Sequence, residues 1–246
     1  MRSLKSLAGV ARSFVVYYGQ VWRNAGRRRF YAQFLNPGDL AFDVGAHVGD
    51  RVRTWRQLGA RVVAVEPQPV MADVLQRLYG RDASVRLERV ALGAKPGRAT
   101  LHVSSANPTL TTLSREWIDE VQADARFRPT RWDQQVEVEV TTLDALIARH
   151  GVPRFCKIDV EGFELSVLEG LSQPIAALSF EYIPVSKTIA QACVRKLAAL
   201  GPYRFRSSRV ETMRFTEPDW VSADALIAFL DALPIDERSG DVYARL

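Results

Sequence analysis

Two glycines separated by three residues sit in the run Phe42-Asp43-Val44-Gly45-Ala46-His47-Val48-Gly49-Asp50, between an apolar stretch and a helix-like segment. An apolar strand, a glycine turn and a helix together make a nucleotide-binding corner. Glycine lets the backbone pass close to a ligand, and a helix N-terminus offers free N–H groups. A second apolar run, Val62-Val63-Ala64-Val65, ends on Glu66. A carboxylate at that strand tip can accept hydrogen bonds from both hydroxyls of a ribose.

Two cofactor classes use such a corner. A dinucleotide enzyme, such as an NAD-dependent oxidoreductase, wants three glycines in the spacing G-x-G-x-x-G. Here Gly45 and Gly49 stand alone, and Asp43 lies two residues before the first of them. A carboxylate at that point repels a pyrophosphate. It suits a cofactor with no phosphate and a cationic amino-acid end, which describes S-adenosylmethionine. The bland alternative is a strand, turn and helix with a cap and no ligand.

A second constellation is Lys157-Ile158-Asp159-Val160-Glu161-Gly162-Phe163-Glu164, at the end of another apolar run. In a doubly wound sheet, ligands bind at the carboxyl ends of the strands. Asp43, Glu66, Asp159 with Glu161, and Glu181 would then meet at one rim. Carboxylates crowded in this way are costly unless something cationic is bound. A sulfonium supplies one positive charge, and a divalent metal such as Mg or Mn would supply more.

The elements needed to position these groups are legible as an alternation. Strands are expected at 40–44, 61–65, 85–91, 154–158 and 176–182, with helices at 50–58, 69–79, 143–149, 163–171 and 187–200. This pattern predicts an α/β fold, a parallel sheet with helices on both faces. Residues 94–142 break the alternation. Their strand-like runs at 99–103 and 136–142 and helix-like 114–123 read as an insertion covering the cofactor edge, with Asn107, Thr109 and Thr111 as acceptor-side candidates. A closing hairpin is expected at 203–208 and 212–215. The domain division that follows is 1–36 as an N-terminal helical extension, 37–216 as the main domain, and 217–246 as a tail with a short helix.

With 246 residues, 47% hydrophobic and 25% charged, the chain has the composition of a globular domain. The net charge is +5. Before residue 40 the charged side chains are Arg2, Lys5, Arg12, Arg23, Arg27, Arg28 and Arg29 against Asp39. Residues 3–22 read as an amphipathic helix. Such a helix packs on the domain, or rests on an anionic membrane surface or a partner. A non-catalytic membrane- or complex-associated module is the alternative that this segment supports, and it is also where homo-oligomer contacts are expected. Cys156 and Cys193 make neither a disulfide framework nor a metal knuckle. No secretory signal and no apolar run of ~20 residues is evident. A cytoplasmic protein is expected, with peripheral contact at the inner face of a membrane as a variant. No nucleic-acid reader motif is present, so no nucleic-acid partner is expected.

These motifs, with Val65-Glu66-Pro67, Ala91-Leu92-Gly93 and Thr142-Leu143-Asp144, resemble the FkbM family of S-adenosylmethionine-dependent methyltransferases over residues from about 36 to about 181. The resemblance implies a Rossmann-like class I methyltransferase sheet of about seven strands with an antiparallel last strand. It implies O-methylation of a hydroxyl on a small-molecule or glycan acceptor, a sugar or a secondary metabolite. Asp43, Gly45, Ala46, His47, Gly49, Glu66, Pro67, Ala91, Leu92 and Asp159 are the implied cofactor contacts, with His47 where the family often has Asn. Asp159, Glu161 and Glu181 are the implied catalytic group, since a carboxylate can take the hydroxyl proton or hold a metal that acidifies it.

Overall fold

The computed structural model describes residues 9, 11–14 and 23–246. In chain order the elements are α1 (Arg23–Tyr31), β1 (Leu40–Val44), α2 (Asp50–Gln57), β2 (Arg61–Val65), α3 (Pro69–Tyr79), β3 (Val85–Glu88), β4 (Ala91–Leu92), β5 (Gly97–Val103), α4 (Arg115–Val121), β6 (Gln134–Thr141), α5 (Leu143–His150), β7 (Phe155–Ile158), α6 (Glu164–Glu169), β8 (Ala177–Tyr182), α7 (Lys187–Leu200), β9 (Arg204–Arg209), α8 (Ala223–Ala232) and β10 (Gly240–Arg245). Seven strands form one sheet in the order β3-β2-β1-β7-β8-β10-β9. The pairs from β3 to β8 are parallel, and β10 runs antiparallel to both β8 and β9.

The central strands are buried on both faces, which is why they read as unbroken apolar runs rather than alternating ones. β1 is buried at every position. Phe42 and Val44 point to a core shared with α5, α6, α7 and α8, and Ala41 points to the other face. That second face is aromatic. Phe34 stacks on Phe155 at 4.9 Å and on Tyr243 at 5.8 Å, and Tyr31 meets Trp55 edge-on at 5.5 Å.

The register aligns the strand ends. Val44 lies opposite Val65 on one side and Ile158 on the other, and Ile158 lies opposite Phe180. Gly45, Glu66, Asp159 and Glu181 are therefore the next residues on four adjacent strands. The pairing brings Glu66, Asp159 and Glu181 of the expected rim to one end, and puts Gly45 rather than Asp43 at the end of β1.

Three expectations need correction. The helical extension is not a separate unit where it is described, because Phe30, Tyr31, Phe34 and Leu35 belong to the core. Most of the expected helix at 3–22 lies outside the described residues, although residues 9 and 11–14 are helical. The strand expected at 212–215 is absent, since Met213 has φ +54°, which an extended strand forbids. Its place is taken by β10, from the segment expected to be a tail. The strand expected at 85–91 is split. Ala91–Leu92 turns away to join β6 and β5 in a small second sheet, so 94–142 is built around a sheet of its own.

Replacing Phe34 with alanine is expected to cost about 3–5 kcal/mol of unfolding free energy, read from the denaturant midpoint at unchanged slope. A chain beginning at Gln33 loses Phe30 and Tyr31 from the core and is expected to lack a cooperative unfolding transition.

Candidate active site

The corner after β1 is built on backbone hydrogen bonds. The N–H groups of Gly45 and Ala46 both donate to the Val65 carbonyl at 3.0 Å, which folds the turn over the end of β2. Gly45 has φ +83°, and a Cβ there would lie 1.9 Å from the Asp159 carbonyl oxygen. Only glycine fits between β1 and β7 at that point. His47 is also left-handed, at φ +48°, and this turns its N–H onto Glu66 Oε2 at 2.8 Å.

The Glu66 carboxylate is held from both sides. Oε1 accepts from the Gln68 N–H at 2.8 Å and Oε2 from His47. Burial pushes its pKa up to about 7, against the pull of these two N–H groups. Each oxygen keeps lone-pair capacity for a further donor. Beyond it, Val90, Ala91, Leu92 and Leu101 form an apolar wall. Glu66 and this wall belong to one cleft of about 380 Å³. That volume lies within the usual range for small-molecule sites.

The far side of the cleft carries the acids. One carboxylate oxygen from each of Asp159, Glu161 and Glu181 lies within 4.8 Å of the other two. Burial, then neighbouring carboxylates, hold Glu161 and Glu181 well above the usual carboxylate range. Glu181 Oε2 has no hydrogen-bond partner among the described residues. The buried Lys157 ammonium pairs with Asp159 at 3.0 Å and Asp241 at 2.8 Å. The loop bearing Glu161 is fixed by Glu164, whose Oε1 accepts from the Val160 and Gly162 N–H groups at 3.1 and 3.3 Å. The Thr112 hydroxyl donates to the Glu161 carbonyl at 2.6 Å. Glu161 itself sits at φ +54°, an uncommon conformation for a side-chain-bearing residue.

Of the residues expected from the sequence, Gly45, His47, Glu66, Pro67, Ala91, Leu92, Asp159, Glu161 and Glu181 all line this cleft. Asp43, Ala46 and Gly49 do not. Asp43 is 2% exposed beneath the corner, and burial raises its pKa to about 7. Ala46 packs into the aromatic core. Gly49 starts α2, and a Cβ there would meet Leu75 and Tyr79 at 2.7 Å. Burial pushes the His47 imidazole down to about 4, so it is neutral at pH 7. Thr109 and Thr111 line the cleft and Asn107 does not.

The sequence reading missed Arg27, Gln68, Thr112, Val210, Glu211 and Ser239, which also line it. Arg27 carried a signal that went unused. It falls three and four residues before Phe30 and Tyr31, on the apolar stripe of α1 rather than on its charged face.

A seven-stranded sheet of this order with an antiparallel penultimate strand, bearing a glycine corner and an acidic second strand tip, defines a class I methyltransferase fold. The model of the methyltransferase FkbM domain matches residues 43–231, and the chain belongs to that family. It is an S-adenosylmethionine-dependent methyltransferase. No curated protein sequence matches the chain. Similar solved structures include precorrin-6Y C5,15-methyltransferase from Geobacter metallireducens, with 13% identity, a TM-score of 0.45, and coverage of 89% of this chain and 88% of that one. Another is fibrillarin from Aeropyrum pernix with natively bound S-adenosyl-L-methionine, with 11% identity, a TM-score of 0.41, and coverage of 85% and 67%. A third is precorrin-8W decarboxylase from Methanobacterium thermoautotrophicum, with 13% identity, a TM-score of 0.44, and coverage of 89% of each chain.

The buried carboxyls set the pH response of the cofactor-free protein. Asp43, Glu66 and Glu164 are raised to about 7, so the folded chain holds protons that the unfolded chain releases from about pH 4 upward. Stability then falls as pH rises through that window. Glu211 shifts the other way, to about 2, because Arg51 and Arg27 outweigh its burial. Its contribution is present above the ordinary carboxylate range and is lost as pH falls towards 2. Thermal unfolding should give a higher Tm near pH 5 than near pH 8, with a second decline below about pH 4. Glu66→Gln should flatten the slope on the alkaline side.

Proposed function

We propose that the protein methylates a hydroxyl group of a neutral, polyhydroxylated acceptor such as a sugar or glycan, with a hydroxylated secondary metabolite as the same chemistry on another scaffold. The observation that carries this reading is the trio Asp159, Glu161 and Glu181, gathered at the edge of the cofactor cleft. S-adenosylmethionine, when bound, supplies an electrophilic methyl group on a cationic sulfur. The residues present fit it. Ala91, Leu92, Val90 and Leu101 offer an apolar face for a flat base, and Glu66 offers two anchored oxygens for the ribose diol.

An alcohol is a poor nucleophile until its proton is taken. Carboxylates whose proton affinity burial has raised are stronger bases than solvated ones, and Glu161 and Glu181 are of this kind. Asp159 sits beside them, held by Lys157. In the proposed reading the trio receives the acceptor's proton while Thr109, Thr111 and Thr112 offer neutral hydrogen-bonding groups along the acceptor side. The acid-lined wall disfavours phosphorylated or sulfated acceptors. A divalent cation such as Mg²⁺ or Mn²⁺ held by the trio is a second reading, supported by the mutual approach of three carboxylates. It would relieve their repulsion and acidify a bound hydroxyl.

The test begins with calorimetry of S-adenosylmethionine and a methyl-transfer screen of neutral sugars and glycans, with sugar nucleotides as the disfavoured comparison. Glu66→Ala is expected to weaken cofactor binding by about 1.5–3 kcal/mol. Unchanged affinity in the folded variant removes Glu66 from the site. Asp159→Asn and Glu161→Gln should lower methyl transfer by about 10²–10⁴ while retaining cofactor affinity. Near-wild-type turnover in both would overturn the assignment. Turnover should also fall on acidification at a pH above the ordinary carboxylate range. Chelator treatment decides the metal reading: loss of turnover restored by Mg²⁺ or Mn²⁺ supports it, and full activity in chelator excludes it.

A further inference from the structure

We infer that Arg27 is the seat for the carboxylate end of the cofactor, and that Glu211 is an internal counter-ion competing for the same guanidinium. The inference rests on the cofactor reading above and adds a subsite to it. The amino-acid end of S-adenosylmethionine carries a carboxylate as well as an ammonium. Among the described residues lining the cleft, Glu66, Asp159, Glu161, Glu181 and Glu211 are acidic, and Arg27 is the single Lys or Arg. A carboxylate entering this cleft has one cation to meet.

Position agrees with charge. Glu66 and the apolar wall lie on the β2 side of β1, where the ribose and base belong. Arg27 is bonded to Asp50, the first residue of α2, directly after the glycine corner. A cofactor crossing Gly45 from the β2 side has its amino-acid end at that helix start, where backbone N–H groups also favour an anion.

Arg27 is held in a closed ring of charges. One of its terminal nitrogens donates to Asp50 Oδ2 at 3.1 Å and the other to Glu211 Oε2 at 2.6 Å. Arg51 closes the ring, donating to Glu211 Oε1 at 2.6 Å and pairing with Asp50. Two guanidinium groups against two carboxylates balance. A ring that served only to fix α1 would have no reason to face the ligand. Yet Arg27 and Glu211 line the cleft, while Asp50 and Arg51 do not.

Both Arg27 and Arg51 bury an Nε–H with no partner among the described residues, so it is the place of Arg27 on the cleft that sets it apart. Glu211 is delivered by a strained turn. Val210, which also lines the cleft, has φ +50°. A β-branched residue in the left-handed region is a costly choice that persists only when its surroundings impose it. Glu211 thus stands as a carboxylate on Arg27 from within the chain, and the cofactor's carboxylate must share or displace it.

The test compares S-adenosylmethionine with its decarboxylated analogue, which keeps the base, ribose, sulfonium and ammonium. The readout is binding by calorimetry on the full chain, with no acceptor present. Wild type is expected to prefer the carboxylate-bearing ligand by about 10- to 100-fold. Arg27→Gln should bring that ratio close to one by weakening only the intact cofactor. Glu211→Gln should raise the ratio severalfold, a gain that a folding defect cannot mimic and that reads the inference even where Arg27→Gln fails to fold. Equal wild-type affinity for the two ligands, a preserved preference in folded Arg27→Gln, or an unchanged or lowered ratio in Glu211→Gln overturns the inference. Wild type that binds neither ligand refutes the cofactor reading itself, a separate result.

Discussion

The buried ammonium of Lys157 ties together parts of the chain that would otherwise have no reason to meet. It lies on β7 with 2% exposure, in register with Asp43 on one side and Ser179 on the other. It pairs at once with Asp159, at the cleft, and with Asp241, on the last strand. Burial works against its charge, but the two carboxylates outweigh burial and keep it protonated. A buried ion held by two partners costs several kcal/mol if one is removed. The last strand is therefore bound to the site by charge as well as by its ladder with β8.

Around this group the sheet edge becomes an electrostatic problem with a defined solution. Parallel strands in register bring Glu66, Asp159 and Glu181 to one end, with Asp43 buried one residue below, and the crossing loop adds Glu161. The structure meets part of the repulsion with Lys157 and leaves the rest as raised proton affinity in Glu161 and Glu181. A cationic sulfonium entering the cleft meets that unpaid charge. A pyrophosphate would add to it, which is the physical reason that a dinucleotide does not suit this edge.

What was legible in the sequence follows from how local each signal is. Gly45 announces itself because no other residue fits between Val44 and the Asp159 carbonyl. Glu66 and Asp159 are legible because an acid directly after an apolar run lands on the strand tip whatever the rest does. The alternation of elements gave the parallel strands β1, β2, β3, β7 and β8, and the count of seven came only with the family resemblance. β10 was hidden because Asp241, within it, needs a buried partner 84 residues away to be tolerated. Arg27 was hidden for the same reason: it looks like part of a solvated basic cluster until Asp50 and Glu211 are seen around it. Asp43 misled in the opposite direction. Its place beside the glycines suggested ligand contact, whereas the strand alternation turns it beneath the corner, towards Arg51 and Lys157.

A site at the open edge of a parallel sheet is exposed by construction, so something outside the repeat must wall it. Three segments do so here, each with different chemistry. α1 brings a cation in Arg27, the small second sheet and its loop bring Leu101 and the threonines 109, 111 and 112, and the turns flanking β9 and β10 bring Glu211 and Ser239. None of them is part of the strand and helix alternation that fixes the corner, the ribose carboxylate and the acidic trio. In the proposed reading the alternating core holds the ribose and the acidic trio, while the walls complete the cofactor seat through Arg27 and Leu101 and face the acceptor through the threonines. Because α1 also supplies Phe30, Tyr31 and the adjoining Phe34 to the aromatic core, its wall cannot move independently of the fold. The loop carrying Thr109 and Thr111 is held by a different anchor, with Trp132 donating to the Leu110 carbonyl at 2.6 Å and Thr112 donating to the Glu161 carbonyl. A change there acts on the acceptor side without touching the aromatic core that carries Arg27.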